Sequence, residues 1–158
     1  MTSQSFYEEG GKVLTAGAFE FVLGTEIRRA VRSQNFLTLI VLETSREWEG
    51  MTVTADDGTV HEVAQVIGKV VRDTDLIGRT EQGVLSLVLV DADFEHSTRV
   101  INRLVSRIDN YEFPTVLRIA VGAACYPTDA SDADSLKRQA LARPIINWRG
   151  GLRPADQN

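Results

Sequence analysis

Two groups of side chains between residues 71 and 89 have types and spacing that suit chemistry. Arg72 and Asp75 lie three residues apart in the run RDTD. An arginine guanidinium presents a planar fork of donors that matches phosphate oxygens, and a carboxylate accepts hydrogen bonds from N–H groups. The second group is the run EQG at residues 81–83, which lies between two apolar segments. Hairpin tips of this kind often carry catalytic carboxylates in α/β enzymes.

Each group also has a plain structural interpretation. The spacing R-x-x-D occurs by chance in many sequences, and an exposed Arg72–Asp75 ion pair would contribute only about 0–1 kcal/mol. The run at residues 81–83 is also typical of a hairpin turn with Gly83 in the left-handed region. The residue types alone leave both interpretations open.

Other candidate residues favour structural interpretations. Glu43 at the end of an apolar run is a candidate metal ligand or an ion-pair partner, and the acidic pair at residues 56–57 is expected to stabilise a helix N-terminus. Cys125 lies in an apolar run, which predicts a buried thiol. Three arginines are expected on a solvated helix face: Arg28, Arg29 and Arg32. The two tryptophans, Trp48 and Trp148, are either partner-contact residues or core residues.

Composition excludes several classes of function. The 158 residues carry a net charge of −5, which argues against a broad basic surface for nucleic acid or anionic membrane. One cysteine cannot form an intramolecular disulfide, and two histidines without partners at ligand spacing make a zinc site improbable. The N-terminus lacks the apolar core of a signal peptide, and no apolar run approaches the length of a membrane span. We therefore expect a single cytoplasmic domain with no membrane insertion.

Apolar periodicity positions the candidates on alternating helices and strands. Spacing of three to four residues predicts amphipathic helices, and continuous apolar runs predict buried strands. The run TVHE at residues 59–62 has the form of a capping box. The pattern predicts an α/β sandwich whose hairpin belongs to a mixed sheet. The predicted elements are helix 16–33, strand 36–42, a loop or frayed helix at 44–58, a helix from 59, strands 75–80 and 84–90, a helix after Asp91 or Asp93, strand 116–126 and helix 131–143.

Four stretches together resemble the GGDEF domain, the module that in its active form makes cyclic di-GMP from two GTP molecules. They are VLTAGAFEFVLGTEI at 13–27, LTLIVLE at 37–43, DTDLIGRTEQGVLSLVL at 73–89 and RIAVGAACYPTDASDADSL at 118–136. The last is the most specific, since it keeps Gly122, the pair at 126–127 and the acidic turn. The resemblance implies a nucleotidyl-cyclase-like palm, in which a central mixed β-sheet is flanked by helices and a β-hairpin carries the signature.

The signature itself is degenerate in this alignment. Its five positions are held by Glu81, Gln82, Gly83, Val84 and Leu85. The active-site carboxylate position is Val84, which cannot bind a metal ion or accept a proton, and both glycines that allow close approach to the nucleotide are lost. Glu43 remains at the first-strand metal position as a relic carboxylate, and Trp148 takes the place of a late lysine. We therefore expect no cyclase activity, no catalytic residue, no metal and no required cofactor.

The resemblance also implies a ligand site beside the tip. In the family, an inhibitory site for cyclic di-GMP is written R-x-x-D, five residues before the signature. Arg72 and Asp75 match it, and Arg103 matches a second arginine on the following helix. Arginine would contact phosphate oxygens and the guanine O6/N7 edge, and Asp75 would accept from the guanine N–H groups.

Two functions of different classes follow. The first is an inactive regulatory module of bacterial signalling that binds cyclic di-GMP at Arg72, Asp75 and Arg103 and forms a homodimer on binding. The alternative is a dimerisation or protein-interaction domain with no nucleotide, since a fold does not imply a function. We expect an N-terminal arm or linker at 1–13, a degenerate GGDEF domain at 14–151 and a tail at 152–158. An upstream sensory or receiver domain is a further expected partner.

Overall fold

The computed structural model describes residues 6–8 and 12–151. In this part of the chain, strands and helices alternate around one mixed sheet. The elements are β1 (Val13–Leu14), α1 (Ala16–Ser33), β2 (Leu37–Trp48), β3 (Met51–Thr54), α2 (Asp57–Ile67), β4 (Leu76–Arg79), β5 (Leu85–Val90), α3 (Phe94–Asp109), β6 (Leu117–Tyr126), α4 (Ala133–Ala142) and β7 (Pro144–Gly150).

The sheet has the strand order β1-β4-β5-β2-β6-β7, and β3 pairs with the far end of β2. Within the described residues, β1 and β4 run parallel and the other neighbouring strands run antiparallel. The central strand β2 is apolar along its first half because both of its faces are covered. This confirms the predicted mixed sheet with helices around it.

Alternation along β2 separates two apolar clusters on opposite faces of the sheet. Ile40 and Leu42 pack with the buried residues of α2 and α3, whereas Leu39 and Val41 pack with those of α1 and α4. A strand directs successive side chains to opposite faces, so one continuous apolar run supplies both cores. The predicted sandwich is therefore confirmed, and Cys125 is buried as expected.

Residues 44–58 differ from the prediction of a loop or frayed helix. β2 continues to Trp48, and a turn at Glu49 and Gly50 leads back into β3. Both turn residues have positive φ, 48° and 80°, as two-residue hairpin turns require. The second half of β2 and all of β3 are not covered on both faces, so their residues are mostly polar. This polar composition does not indicate a strand.

Three element ends can be compared with the prediction. Helix α2 begins after Asp56, whose side chain accepts from the Thr59 amide, so the predicted capping box at Thr59 is wrong. Helix α4 is capped by Asp132, next to residue 131, where the predicted helix begins. Pro144 ends that helix as predicted, but it also begins the edge strand β7, which the sequence pattern did not reveal.

The predicted N-terminal arm includes packed residues. Val13 is buried in β1 opposite Ile77 of β4, and Tyr7 bridges to Leu14. Residues 1–5, 9–11 and the predicted tail at 152–158 lie outside the described part of the chain. The division into arm, domain and tail remains a prediction.

Candidate functional site

The tip between β4 and β5 is a compact turn held by its own backbone. The Gly83 amide donates to the Thr80 carbonyl at 2.8 Å, and the Thr80 amide donates to the Val84 carbonyl at 2.9 Å. The Thr80 hydroxyl accepts from the Val84 amide at 3.1 Å. Gly83 has φ +82°, so the predicted turn with a left-handed glycine is confirmed.

Val84, at the position of the expected carboxylate, is partly buried and packs against the apolar cluster of α1 and α4. A cavity of about 740 Å³ lies beside the tip, between the ends of β2 and β6. Exposed Glu43 and Glu81 both line it. Among the described residues, no group of three or more His, Cys, Asp or Glu side chains is placed to share a metal ion.

Arg79 cross-links the base of the tip. Its Nε donates to the Gly83 carbonyl at 3.1 Å, its Nη2 lies 3.1 Å from Asp57 Oδ1, and its Nη1 lies 3.8 Å from Glu8 Oε2. Only 14% of the arginine side chain is exposed. Arg79 thus joins the turn to the start of α2 and to the N-terminal segment. The position of Arg79 in the sequence does not indicate either ion pair, because both partners lie far from it along the chain.

Arg72 and Asp75 meet directly in the turn that leads into β4. Arg72 Nε lies 3.2 Å from Asp75 Oδ2, and Arg72 Nη2 lies 3.1 Å from Asp75 Oδ1. The carboxylate also accepts from the backbone amides of Arg72 and Val90, at 3.1 and 3.3 Å. These four hydrogen bonds occupy Asp75, whose side chain is 1% exposed. The predicted pair is thus built, and its aspartate is turned inward.

The guanidinium of Arg72 remains half exposed, at 47%. Its Nη2 also donates to the Val90 carbonyl at 2.8 Å, so one edge of the fork is held by the protein. The hydrogen bond to Asp75 raises the pKa of Arg72, which keeps the guanidinium charged. The adjoining cavity of about 450 Å³ is also lined by Lys12, Tyr7 and Asp73.

Arg103 lies on the exposed side of α3, because Val100, Ile101 and Leu104 turn toward the core. No hydrogen bond or ion pair joins it to Arg72 or Asp75 in the described residues, and it does not line the cavity beside Arg72. The structure therefore brings together two of the three predicted binding residues.

A third charged group lies on the extension of β2. Glu47 accepts from Arg149 Nε at 2.9 Å and from Arg118 Nε at 3.2 Å. The Arg149 hydrogen bond lowers the pKa of Glu47. Because these residues lie up to 102 positions apart, only strand pairing could have revealed the cluster.

The two tryptophans have opposite environments. Trp148 is buried, and its indole donates to Asp109 Oδ1 at 3.0 Å. Trp48 is 52% exposed, and the Arg46 guanidinium lies 5.0 Å from its ring centroid. Trp148 therefore fills core space at the position where the resemblance implied a lysine.

Comparison with family models matches residues 17–143 to the family described as diguanylate cyclase, GGDEF domain. The chain belongs to the GGDEF domain family. A comparison with curated proteins gave no match. Among the residues that the structure describes, no helix combines the length and apolar character needed to cross a membrane.

Solved structures show the same fold at low sequence identity. The GGDEF domain of YfiN (TpbB) from Pseudomonas aeruginosa aligns with a TM-score of 0.70 and 18% identity, over 82% of this chain and 86% of that one. The GGDEF domain of FimX from the same organism has a TM-score of 0.70 and 13% identity, over 88% and 91%. The GGDEF domain of DgcB from Caulobacter crescentus, in complex with c-di-GMP, has a TM-score of 0.67 and 13% identity, over 90% and 89%. The predicted GGDEF palm is thus confirmed as a fold.

Proposed function

We propose that this GGDEF domain is a catalytically inactive regulatory module that binds cyclic di-GMP at Arg72 and dimerises on binding. The observation that carries the proposal is the pre-positioned guanidinium. Asp75 and the Val90 carbonyl hold one edge of Arg72 while the rest of the side chain faces solvent. Asp75 and Val90 use the Nε and Nη2 donors, so the Nη1 group is the part of Arg72 that can donate to a ligand. A guanidinium already fixed in place loses less conformational entropy when it binds an anion.

In this proposal Asp75 positions Arg72 and does not contact the ligand. Its carboxylate already accepts four hydrogen bonds and is almost fully buried. Arg103 lies on the exposed side of α3 and is assigned to the same ligand. It would join Arg72 through the bound nucleotide, since the two arginines do not contact each other directly in the part of the chain that the structure describes. The c-di-GMP in the DgcB complex supports the choice of ligand.

Inactivity is supported by the residues at the tip. Val84 packs into an apolar cluster, and Asp57, one of the three carboxylates that line the neighbouring cavity, is paired with Arg79. Two-metal phosphoryl transfer needs several free carboxylates that converge on the ions. Among the described residues, the two unpaired carboxylates that remain, Glu43 and Glu81, do not supply such a set. We therefore expect no cyclic di-GMP from GTP and Mg²⁺, and chromatographic detection of product would contradict the assignment.

Isothermal calorimetry with cyclic di-GMP tests the binding site. We expect Arg72→Ala to weaken binding by about 1.5–3 kcal/mol, the contribution of a charge-assisted hydrogen bond. Arg138→Ala is the matched control, because this exposed arginine lies on α4, which packs on the opposite face of the sheet. Absence of heat up to about 100 μM ligand, a limit of about −5.5 kcal/mol, would reject the proposal.

An interaction domain without a nucleotide is the second candidate. The β2–β3 hairpin exposes two large apolar side chains at its end, Trp48 at 52% and Met51 at 61%. Such residues are enriched where proteins contact partners. A concentration-dependent dimer that forms without nucleotide, and that is unaffected by Arg72→Ala, would favour this second function.

A further inference from the structure

A third cavity, of about 570 Å³, lies between α2, the end of α3 and the N-terminal segment. We term it the α2–α3 cleft. It is distinct from the cavity beside the hairpin tip and shares only Lys12, Gly68 and Ile77 with the cavity beside Arg72. Its volume falls within the range of small-molecule sites, which is about 300–1,000 Å³.

The cleft is cationic in a chain whose net charge is −5. Lys12, Lys69 and Arg107 line it, and none of the three makes a hydrogen bond or ion pair within the described residues. Arg79, by contrast, is paired with Asp57. Three uncompensated positive charges around one concave surface attract an anion.

No carboxylate lines the cleft among the described residues. Two acids lie close to its wall: Asp109 accepts from the Trp148 indole, and Glu62 accepts from the Tyr111 hydroxyl at 2.7 Å. Within the described residues, neither acid forms an ion pair with Lys12, Lys69 or Arg107. The cations are therefore available to an outside ligand.

The cleft also has an apolar floor and neutral polar groups. Val13, Ala64 and Ile77 are buried side chains of this floor. His61, Gln65 and Asn110 add polar groups at the wall. His61 and Gln65 are hydrogen-bonded to each other at 3.3 Å, and Asn110 Nδ2 donates to the Ser106 carbonyl, so each has only part of its capacity left for a ligand. An inorganic ion would leave the floor uncovered, whereas a phosphorylated organic molecule would use both parts.

We propose that the α2–α3 cleft binds a phosphorylated small molecule of mononucleotide size. Arg107 and Lys69 hold the phosphate, since a guanidinium fork and an ammonium group are the usual phosphate donors. Lys12 closes the cleft from the N-terminal segment, and the organic body lies on the apolar floor. This site acts independently of Arg72.

The test is a ¹H–¹⁵N NMR titration of the full chain with AMP up to 10 mM, and with adenosine as the uncharged control. We expect AMP to shift the amides of Gly68, Lys69, Asn110 and Tyr111, and adenosine to shift them far less. The double variant Lys69→Ala/Arg107→Ala should weaken AMP binding at least tenfold. Arg99→Ala is the matched control because it removes an exposed arginine from the same helix outside the cleft, and it should leave AMP binding unchanged.

Three results would overturn the proposal: no AMP shifts, equal shifts with adenosine, or AMP shifts that persist in the double variant with unchanged affinity. A cyclic di-GMP response that depends on Arg72, obtained without an AMP response in the cleft, would reject this site and leave the Arg72 site intact. An AMP response without cyclic di-GMP binding would reject the Arg72 site and leave the cleft site intact.

Discussion

Gly122 illustrates how packing accounts for one residue of the GGDEF-like stretch at 118–136. A Cβ at this position would lie 1.9 Å from the carbonyl oxygen of Ala140, so β6 and α4 approach each other through the missing side chain. The pairing of β6 with β7 is also irregular between Val121 and Gly122. The glycine therefore serves the close contact between β6 of the sheet and α4.

Gly122→Ala should lower the free energy of unfolding by about 1–3 kcal/mol, because the clash is with backbone that cannot move aside alone. Gly17→Ala is the matched control. No atom lies within 4 Å of a Cβ built there, and alanine favours the helix by up to about 1 kcal/mol. Urea denaturation of the two variants measures the difference, and equal stability would contradict the close approach.

The Arg72–Asp75 pair makes a separate prediction at the residue scale. Asp75→Ala removes an acceptor for two backbone amides and the partner of Arg72, so we expect a loss of about 2–3 kcal/mol of unfolding free energy. The estimate lies below that for a fully buried ion pair because Arg72 is half exposed. Thermal denaturation followed by circular dichroism measures it.

Asp73→Ala is the control for this prediction. Asp73 is exposed and makes no hydrogen bond or ion pair in the described residues, so its removal should change stability by less than about 0.5 kcal/mol. If both variants were equally stable, Asp75 would not be the structural support that its four hydrogen bonds indicate.

At the scale of elements, α2, α3 and α4 each begin at an aspartate cap, whereas α1 has no side-chain cap. Asp56 caps α2 and Asp132 caps α4, and the hydrogen bonds from Thr59 and Ser135 lower the pKa of the two carboxyls. A carboxyl with a lowered folded-state pKa stabilises the protein above its unfolded pKa, near 3.8, and loses that contribution as pH falls through the folded value. The caps therefore weaken on acidification below about pH 4.

The variant Asp56→Asn separates the effect of the Asp56 charge from the effect of its capping hydrogen bond. Asparagine still accepts from the Thr59 amide but does not titrate, so the variant should melt slightly below the wild type at pH 6. This difference in melting temperature should shrink as the pH is lowered from 5 to 2. Differential scanning calorimetry across that range is the measurement, and a constant difference would show that the Asp56 charge does not contribute.

The same elements show what the sequence can and cannot predict. Helix α1 and the β4–β5 hairpin were predicted within a few residues because their apolar residues repeat at the spacing of their own secondary structure. The Thr59 capping box was wrong because Asp56 is an equally good cap three residues earlier. Local pattern alone cannot choose between two competent caps.

Two strands of the sheet escaped prediction. β3 and β7 contain polar or mixed residues and form because β2 and β6 present unpaired edges. The charged cluster around Glu47 depends on the pairing of β2 with β6 and of β6 with β7. Residues that meet only in the folded chain give no local pattern. The sequence therefore predicted Arg72 and Asp75, which lie three residues apart, but not the α2–α3 cleft, whose cations come from three separate parts of the chain.

At the scale of the whole molecule, ligand binding and stability are coupled. The two cores lie on opposite faces of one sheet, and β2 contributes to both, so we expect the described domain to unfold as one cooperative unit. A ligand that binds only the folded state then raises the stability of the entire domain, however local its contacts are. This makes melting temperature a reporter of the Arg72 site.

Cyclic di-GMP at about 100 times its Kd should stabilise the wild type by about 2.7 kcal/mol, which corresponds to a rise in Tm of roughly 5–10 °C for a domain of this size. At the same ligand concentration, an Arg72→Ala variant whose binding is weakened by about 1.5–3 kcal/mol should gain only about 0.3–1.3 kcal/mol. The difference between the two shifts, rather than either shift alone, excludes a non-specific effect of the nucleotide. Equal Tm shifts in both proteins would place the ligand away from Arg72. GTP in place of cyclic di-GMP should give a smaller Tm shift, because the proposed site binds the cyclic dinucleotide.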